Sequence, residues 1–381
     1  IFLIIGFAVY FLVTLFDVSL FKYIQFIIPI YILTIILLVV VYLFGPVINN
    51  VQRWLVVGGV QLQPSEIAKV TVILTTACIF SFKEKYNQWI LLLISFIAVL
   101  PIFLLVYFEP AGSMSLLILL IWFLVAFTGL RDQLRNSIAL IIAGSLAISI
   151  FLVNFSGSWL YAFIGIAGAI VGIFAFYFRN NWRIIVTVSA CIGIFLGFTS
   201  MFLYKDVLKD YQRKRIEAFI NPVSSSQDIG FNVNQARIAI GSGQILGKGF
   251  GNGTQSKRNF LPEHQTDFIF ASFDEEFGLV GSLFLLILYG FIIVRILTIA
   301  ISSNDTFSAM ILVGIAMKIL FEVFINIGTN LGVIPATGIP LPLMSAGGTI
   351  TIMTLFSLGI VQSIIKSGNI YKKDDNIIDN Y

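Results

Sequence analysis

Long apolar runs, separated by short polar interruptions and by one long one, organise this chain. Runs of about 16 to 24 apolar residues match the length a helix needs to cross a bilayer. They predict spans near 1–16, 23–46, 65–82, 89–108, 113–130, 138–154, 159–178, 183–204, 277–300, 307–329 and 348–366. No period-two alternation runs through them, which argues against a transmembrane barrel. The expected fold class is an all-α polytopic membrane protein with about 11 transmembrane helices. Three regions follow: N-terminal transmembrane helices over 1–204, a large extracytoplasmic loop over 205–274, and C-terminal helices with a cytoplasmic tail over 275–381.

Composition sharpens that picture. With 58% hydrophobic and 11% charged residues, too few polar side chains exist to cover a soluble globule of 381 residues. The net charge of +4 is scattered between the runs and makes no nucleic-acid footprint. Cys78 and Cys191 lie inside apolar stretches, so no disulfide framework is expected. No cleavable signal peptide is visible, and Ile1 falls within an apolar run, so a further segment is expected ahead of it.

Basic residues in the short loops orient the spans. Lys22, Lys83, Lys85, Arg131, Arg135, Arg179, Arg183, Lys372 and Lys373 all fall on one side if every span alternates. That side is expected to be cytoplasmic. The opposite side then holds 47–64, 109–112, 155–158, 205–274 and 330–347. These loops are rich in Gly, Pro and Ser, and irregular backbone at membrane depth must be buried in protein or line a wet cavity. An outward polar cavity, roofed by 205–274, is the expectation.

The interlude 205–274 carries a disproportionate share of the charge, with acids and bases interleaved and the one histidine, His264. Asp267 stands where polar sequence gives way to apolar. A partly desolvated carboxylate there suits a general base, and a helix N-cap is the equally weighted alternative. His264 reads first as a loop residue bonding backbone. Asp274, Glu275 and Glu276 read as the acidic opening of a helix. Glu66 and Lys69, three apart at the start of a span, are expected to line the cavity, since an unpaired intramembrane charge costs about 3 kcal/mol or more, with a structural ion pair near the interface as the alternative. Lys318 and Glu322 read as a separate structural pair. The glycine string Gly241 to Gly253 does not fit a phosphate loop and is expected to be a flexible segment. One histidine and two cysteines cannot build a metal cluster, so no metal ligands are assigned.

Several of these residues fall into known order. Gln52-Arg53-Trp54, Gln63-Pro64-Ser65-Glu66-Ile67-Ala68-Lys69, Asp210-Tyr211-Gln212-Arg213, Ile238 to Gly243 with Gly247-Lys248-Gly249, Thr266-Asp267-Phe268-Ile269-Phe270, and Thr337-Gly338-Ile339-Pro340-Leu341-Pro342 are collinear. In this the chain resembles the SEDS (shape, elongation, division and sporulation) proteins, the RodA and FtsW polymerases, with a lean to RodA. The resemblance implies a peptidoglycan glycosyltransferase that polymerises lipid II, linked to undecaprenyl, at the outer face of the bacterial cytoplasmic membrane. It implies a class B penicillin-binding protein as partner and Asp267 as the catalytic residue. Arg53, Trp54, Glu66, Lys69, Gln212, Arg213, Arg237 and Lys248 are the substrate-binding candidates. No cofactor is assigned, and a divalent cation, Mg or Mn, bridging pyrophosphate is compatible with the reading.

Departures stand beside the resemblance. Where the family carries P-D-L-G-T, this chain reads Pro110-Ala111-Gly112-Ser113-Met114, with Glu109 as a nearby acid. Two helices at about 138–178 look inserted. Two rival classes remain open: a flippase for a lipid-linked precursor, which needs ionisable residues through the membrane's depth, and a non-catalytic scaffold of a cell-wall synthesis complex.

Overall fold

The computed structural model describes residues 2–47, 52–57, 60–109, 111–130, 229–257, 261 and 263–367. The expected spans between 138 and 204, Gln212, Arg213 and the tail lysines lie outside the described residues. The chain divides into two units, and almost all that is described belongs to the one formed by residues 1–129 and 218–381.

Its helices, numbered over the described residues, are α1 (Phe2–Leu15), α2 (Ile24–Phe44), α3 (Pro64–Phe80), α4 (Gln88–Phe108), α5 (Gly112–Gly129), α6 (Ile229–Gly243), α7 (Thr254–Lys257), α8 (Ile269–Ser302), α9 (Thr306–Leu331) and α10 (Gly348–Lys366). Every predicted span that falls on described residues is a helix, and six of these helices are long and apolar enough to cross a membrane. The chain is a multi-pass helical membrane protein. One departure from all-α is a small antiparallel hairpin, β1 (Leu55–Val57) with β2 (Val60–Leu62), pairing Leu55 with Leu62 and Val56 with Gln61.

α3 is the buried axis. Nearly all its side chains are covered, whereas α2 and α4 leave broad apolar faces exposed to lipid. Thr34 and Thr71 join α2 to α3 through their hydroxyls at 2.8 Å. α9 lies against α3 and α5 so closely at Gly314 that an added Cβ would sit 2.7 Å from Ile73 and from Val125. α1 pairs with α10, where Ser363 donates to the carbonyl of Phe16.

Among the described residues, Lys22 and Lys83 lie at one end of the helices and the loops expected on the opposite side gather at the other. At one end Lys22 pairs with Asp305 at 2.8 Å and Lys83 donates to Thr306 at 2.7 Å. Asp305 caps α9, and hydrogen bonds from Lys22 and Ser308 outweigh its burial and hold its carboxyl below the ordinary range. At the other end the hairpin, the start of α5 and residues 332–347 converge. Thr349 bridges Gln61 and Gln63, and Ser113 donates to the Thr337 carbonyl at 2.6 Å.

Two expectations about 229–280 are corrected. Gly241 and Gly243 end a helix, α6, whose Ala236 and Ala239 pack on Leu261, Phe268 and Ala271. The acidic triplet 274–276 does not open a helix: it closes the first segment of α8, which breaks at Gly278 (φ 66, ψ −169). That backbone conformation is open essentially to glycine alone. Here it lets residues 279 and 280 bond back to the loop after α6.

Candidate active site

Asp267 sits in the turn 263–268 that leads into α8. The helix N-cap is Phe268, so Asp267 stands one residue ahead of the capping position. The turn is gripped from two directions. From α9, Asn326 Nδ2 donates to the Asp267 carbonyl at 2.9 Å and Asn330 Nδ2 donates to it at 3.0 Å. Asn326 also donates to the Ile339 carbonyl at 2.9 Å, and Asn330 Oδ1 accepts from Ala271 N at 3.0 Å. From the loop 332–347, Ser345 donates to the Thr266 carbonyl at 2.7 Å while accepting from Leu341 N at the same distance. Ala346 N donates to Gln265 O at 2.8 Å. Main-chain groups are thereby satisfied while the half-buried side chain is left to face elsewhere.

Where it faces is marked by Gly338. A Cβ placed there would lie 3.5 Å from Asp267 Oδ2 and 4.0 Å from Arg53 Nη1. Carboxyl and guanidinium thus approach one point from two elements, the α8 turn and the segment before the hairpin. Glu109, at the C-terminal end of α4, is within electrostatic reach of the same guanidinium. It is 1% exposed, and neither of its oxygens has a hydrogen-bond partner among the described residues. Burial pushes its carboxyl up to about 8, against the opposing pull of Arg53. At neutral pH Glu109 is therefore mostly protonated.

Glu66 and Lys69 do not line a cavity. Both are 0% exposed, and the two expected pairs are one cluster. Lys69 bonds Glu66 at 2.7 Å and also Glu322, whose other oxygen receives Lys318 at 3.2 Å. Two lysines and two glutamates close a neutral buried chain across α3 and α9. The physical reason is cost: an intramembrane charge exposed to nothing is tolerated only when paired and hydrogen-bonded.

Other candidates are tied elsewhere. Lys248 pairs with buried Glu275 at 2.7 Å and with Thr254 at 2.8 Å. Arg237 donates to the carbonyls of Leu331 and Gly332, satisfying the end of α9. His264 bonds the Leu261 carbonyl through Nδ1 at 3.2 Å. Trp54 is half-buried beside Arg53 in sequence. No group of three or more His, Cys, Asp or Glu able to hold a metal occurs among the described residues.

Asn326 and Asn330 had no part in the sequence reading, and Ser345 had none as a support of this turn. A signal for the first two was present: Lys318, Glu322, Asn326 and Asn330 recur every four residues on an apolar helix and form one buried face.

Comparison with known proteins places the chain. A family model for cell cycle proteins of the FtsW, RodA and SpoVE type matches residues 1–165 and 161–369. The peptidoglycan glycosyltransferase MrdB of Escherichia coli K12 is 36% identical over 341 residues, covering 88% of this chain and 76% of MrdB. The peptidoglycan glycosyltransferase RodA of Treponema pallidum is 31% identical, covering 87% of this chain and 80% of RodA. The probable peptidoglycan glycosyltransferase FtsW of Bacillus subtilis is 30% identical, with 95% and 79% covered. In fold, a chain from a peptidoglycan synthase complex that coordinates polymerization and crosslinking matches at TM-score 0.64 and 24% identity, over 97% of this chain and 88% of that one. The rod shape determining protein RodA of Thermus thermophilus matches at TM-score 0.57 and 23% identity, with 97% and 86% covered.

Proposed function

Since the chain belongs to the FtsW, RodA and SpoVE family of cell cycle proteins, we propose that it is a peptidoglycan glycosyltransferase of the RodA-like kind, acting in cell elongation. The observation that carries this is the 36% identity to a peptidoglycan glycosyltransferase along 88% of the chain. The geometry supports it by bringing an acid and a guanidinium from different elements to one point beside the T-G-I-P loop.

The finer mechanism is part of the proposal. Two lipid-linked disaccharides meet at the extracytoplasmic end of the bundle. Asp267 takes the proton from the acceptor's sugar hydroxyl, and the oxygen attacks the donor's anomeric carbon with inversion. The lipid pyrophosphate leaves, taking the bonding electron pair, with Arg53 placed to stabilise its charge. One base suffices, so no retaining pair of carboxylates is needed. Asn326 and Asn330 would fix the base by holding its main chain. Lys248 and Arg237, committed to Glu275 and to the end of α9, are better read as holding the loop than as clamping phosphate. The described carboxylates do not by themselves form a cage for Mg or Mn, and no step is routed through a cation.

A class B penicillin-binding protein is the partner this reading implies, and lipid II the substrate. The flippase alternative loses support among the described residues: Lys318 and Glu322, the pair it would draw on at depth, are spent in the neutral buried chain.

The test is polymerisation of labelled lipid II by the purified protein, with and without its penicillin-binding partner. Replacing Asp267 by Asn should lower the rate roughly 10²–10⁴-fold with the fold intact. Full activity in a folded Asp267→Asn variant removes the base assignment. Absence of strands from wild type with its partner present removes the polymerase reading.

A further inference from the structure

Between α6 and α7 the chain makes a loop, 244–253, that is rich in glycine yet firmly fastened. Lys248 N donates to Glu275 O at 3.0 Å and Gly249 N to Glu276 O at 2.9 Å. In return Leu279 N donates to Gln244 O at 2.9 Å and Val280 N to Ile245 O at 3.1 Å. The approach is so close that a Cβ on Gly247 (φ +75) would fall 2.2 Å from Glu276 O. Beneath it, fully buried Glu275 receives Lys248, the Thr254 hydroxyl and the main-chain N–H groups of Thr254 and Gln255.

This fixed frame holds large apolar side chains outward. Ile245 is 64%, Leu246 79% and Phe250 83% exposed. The Phe250 ring rests on Phe277, centroids 6.1 Å apart. Directly beyond the Gly278 break the surface continues as Leu279, Val280, Leu283, Phe284 and Ile287, all exposed and all on a helix long and apolar enough to cross the bilayer. Backbone bonds join the two surfaces residue to residue, so the loop lies level with the first membrane-facing turn of that helix. Lys248 is the only charged residue from 244 to 256, and its charge is matched by Glu275. A segment that presents apolar side chains, carries no unmatched charge and continues a lipid-facing surface matches the chemistry of the bilayer boundary.

We infer that loop 244–250 is a membrane anchor: Leu246 and Phe250 insert into the acyl-chain boundary of the leaflet on the Asp267 side. Its occupant is the lipid bilayer, not a second protein. The anchor sets the depth of the segment 269–277, and with it the depth of the Asp267 turn. It depends only on the chain spanning a membrane and is independent of the transferase reading.

The experiment uses the full chain in lipid nanodiscs, with Cys78 and Cys191 replaced by alanine and one new cysteine bearing an environment-sensitive nitrobenzoxadiazole label. Phe250→Cys and Leu246→Cys are the test positions. Leu283→Cys on α8 serves as the lipid standard, and Glu84→Cys, in the exposed turn after α3, as the water standard. Quenching is read with lipids carrying a nitroxide on the acyl chain and, separately, with aqueous iodide. At 246 and 250 the nitroxide lipid should quench as it does at 283, and iodide should not. Iodide quenching like that at 84, without lipid quenching, overturns the proposal. Protection from both quenchers also overturns it, because protein then covers the face. The two positions are read independently, so a folding failure at one leaves the other to decide.

Discussion

Replacing Glu109 by glutamine tests the electrostatics of the site without touching its shape. In the fold the carboxyl titrates at about 8, against 4.5 for an unperturbed glutamate, because burial penalises its charge more than Arg53 favours it. Between those values the folded chain keeps a proton that the unfolded chain has released. Stability from this group is thus fully present below pH 4.5 and is lost as pH rises, by about 1.4 kcal/mol per unit and about 5 kcal/mol across the window. Above about pH 8 both states are ionised and the loss levels off. Glutamine cannot titrate, so in the variant this slope vanishes. A buried amide without partners adds a pH-independent penalty of about 1–3 kcal/mol, so the slope, not the absolute stability, is diagnostic. The assay is thermal unfolding in nanodiscs at fixed scan rate from pH 5 to 8. Wild type should lose ground to Glu109→Gln steadily as pH rises. Parallel curves for the two proteins would refute a raised Glu109 carboxyl.

Two further outcomes follow from the buried face of α9. Asn330→Leu with Asn326→Leu removes both amide donors from the Asp267 carbonyl. Lipid II polymerisation should then lose about 10²-fold in kcat with KM little changed, as expected when a reacting group shifts by about an ångström; an unchanged kcat would show that the turn is held without them. Glu322→Gln leaves Lys69 and Lys318 with one carboxylate between them and should destabilise by about 3–5 kcal/mol. Adding Lys318→Met restores the balance and should recover a large part of that loss in a thermal-shift assay, whereas strict additivity of the two changes would deny the coupling.

The spans were legible because bilayer thickness imposes a run length that survives any detail of packing. α10 begins and ends where the apolar run does, and the run beginning at 277 marks the second segment of α8, one residue before the Gly278 break. What escaped was decided by tertiary contact. α6 reads as glycine-rich loop because its helical state depends on Ala236 and Ala239 meeting Phe268 and Ala271, and on Arg237 reaching the end of α9. Asp274 to Glu276 look like a helix opening until Ser282 bonds Asp274 and the loop consumes Glu275. Within the site, Asp267 was visible as an acid at a polar-to-apolar boundary. Its supports were not, because one asparagine on an apolar helix is a weak signal and only the four-residue recurrence through Lys318, Glu322, Asn326 and Asn330 makes it strong. Spacing along one helix shows Glu66 with Lys69, or Lys318 with Glu322. The bond between Lys69 and Glu322 spans 253 positions and no local pattern announces it.

The two charged clusters are neutralised in different ways, and the difference bears on catalysis. Glu66, Lys69, Glu322 and Lys318 close upon one another and present no net charge to their surroundings. Among the described residues, Arg53, Asp267 and Glu109 set one guanidinium between two acids. Burial resolves the imbalance by leaving Glu109 protonated at neutral pH, so of these two acids it is Asp267 that is placed to offset Arg53. The proposed donor brings a pyrophosphate, and added negative charge raises a neighbouring carboxyl further. Glu109 therefore stays uncharged when substrate arrives and does not repel it. A neutral Glu109 would not supply the charge that an ionised aspartate at the Ala111 position of the P-D-L-G-T pattern would bring. A carboxyl is present nearby, but its charge is absent below about pH 8. Among the described residues, Asp267 is the acid that approaches Arg53 from a turn built to hold it.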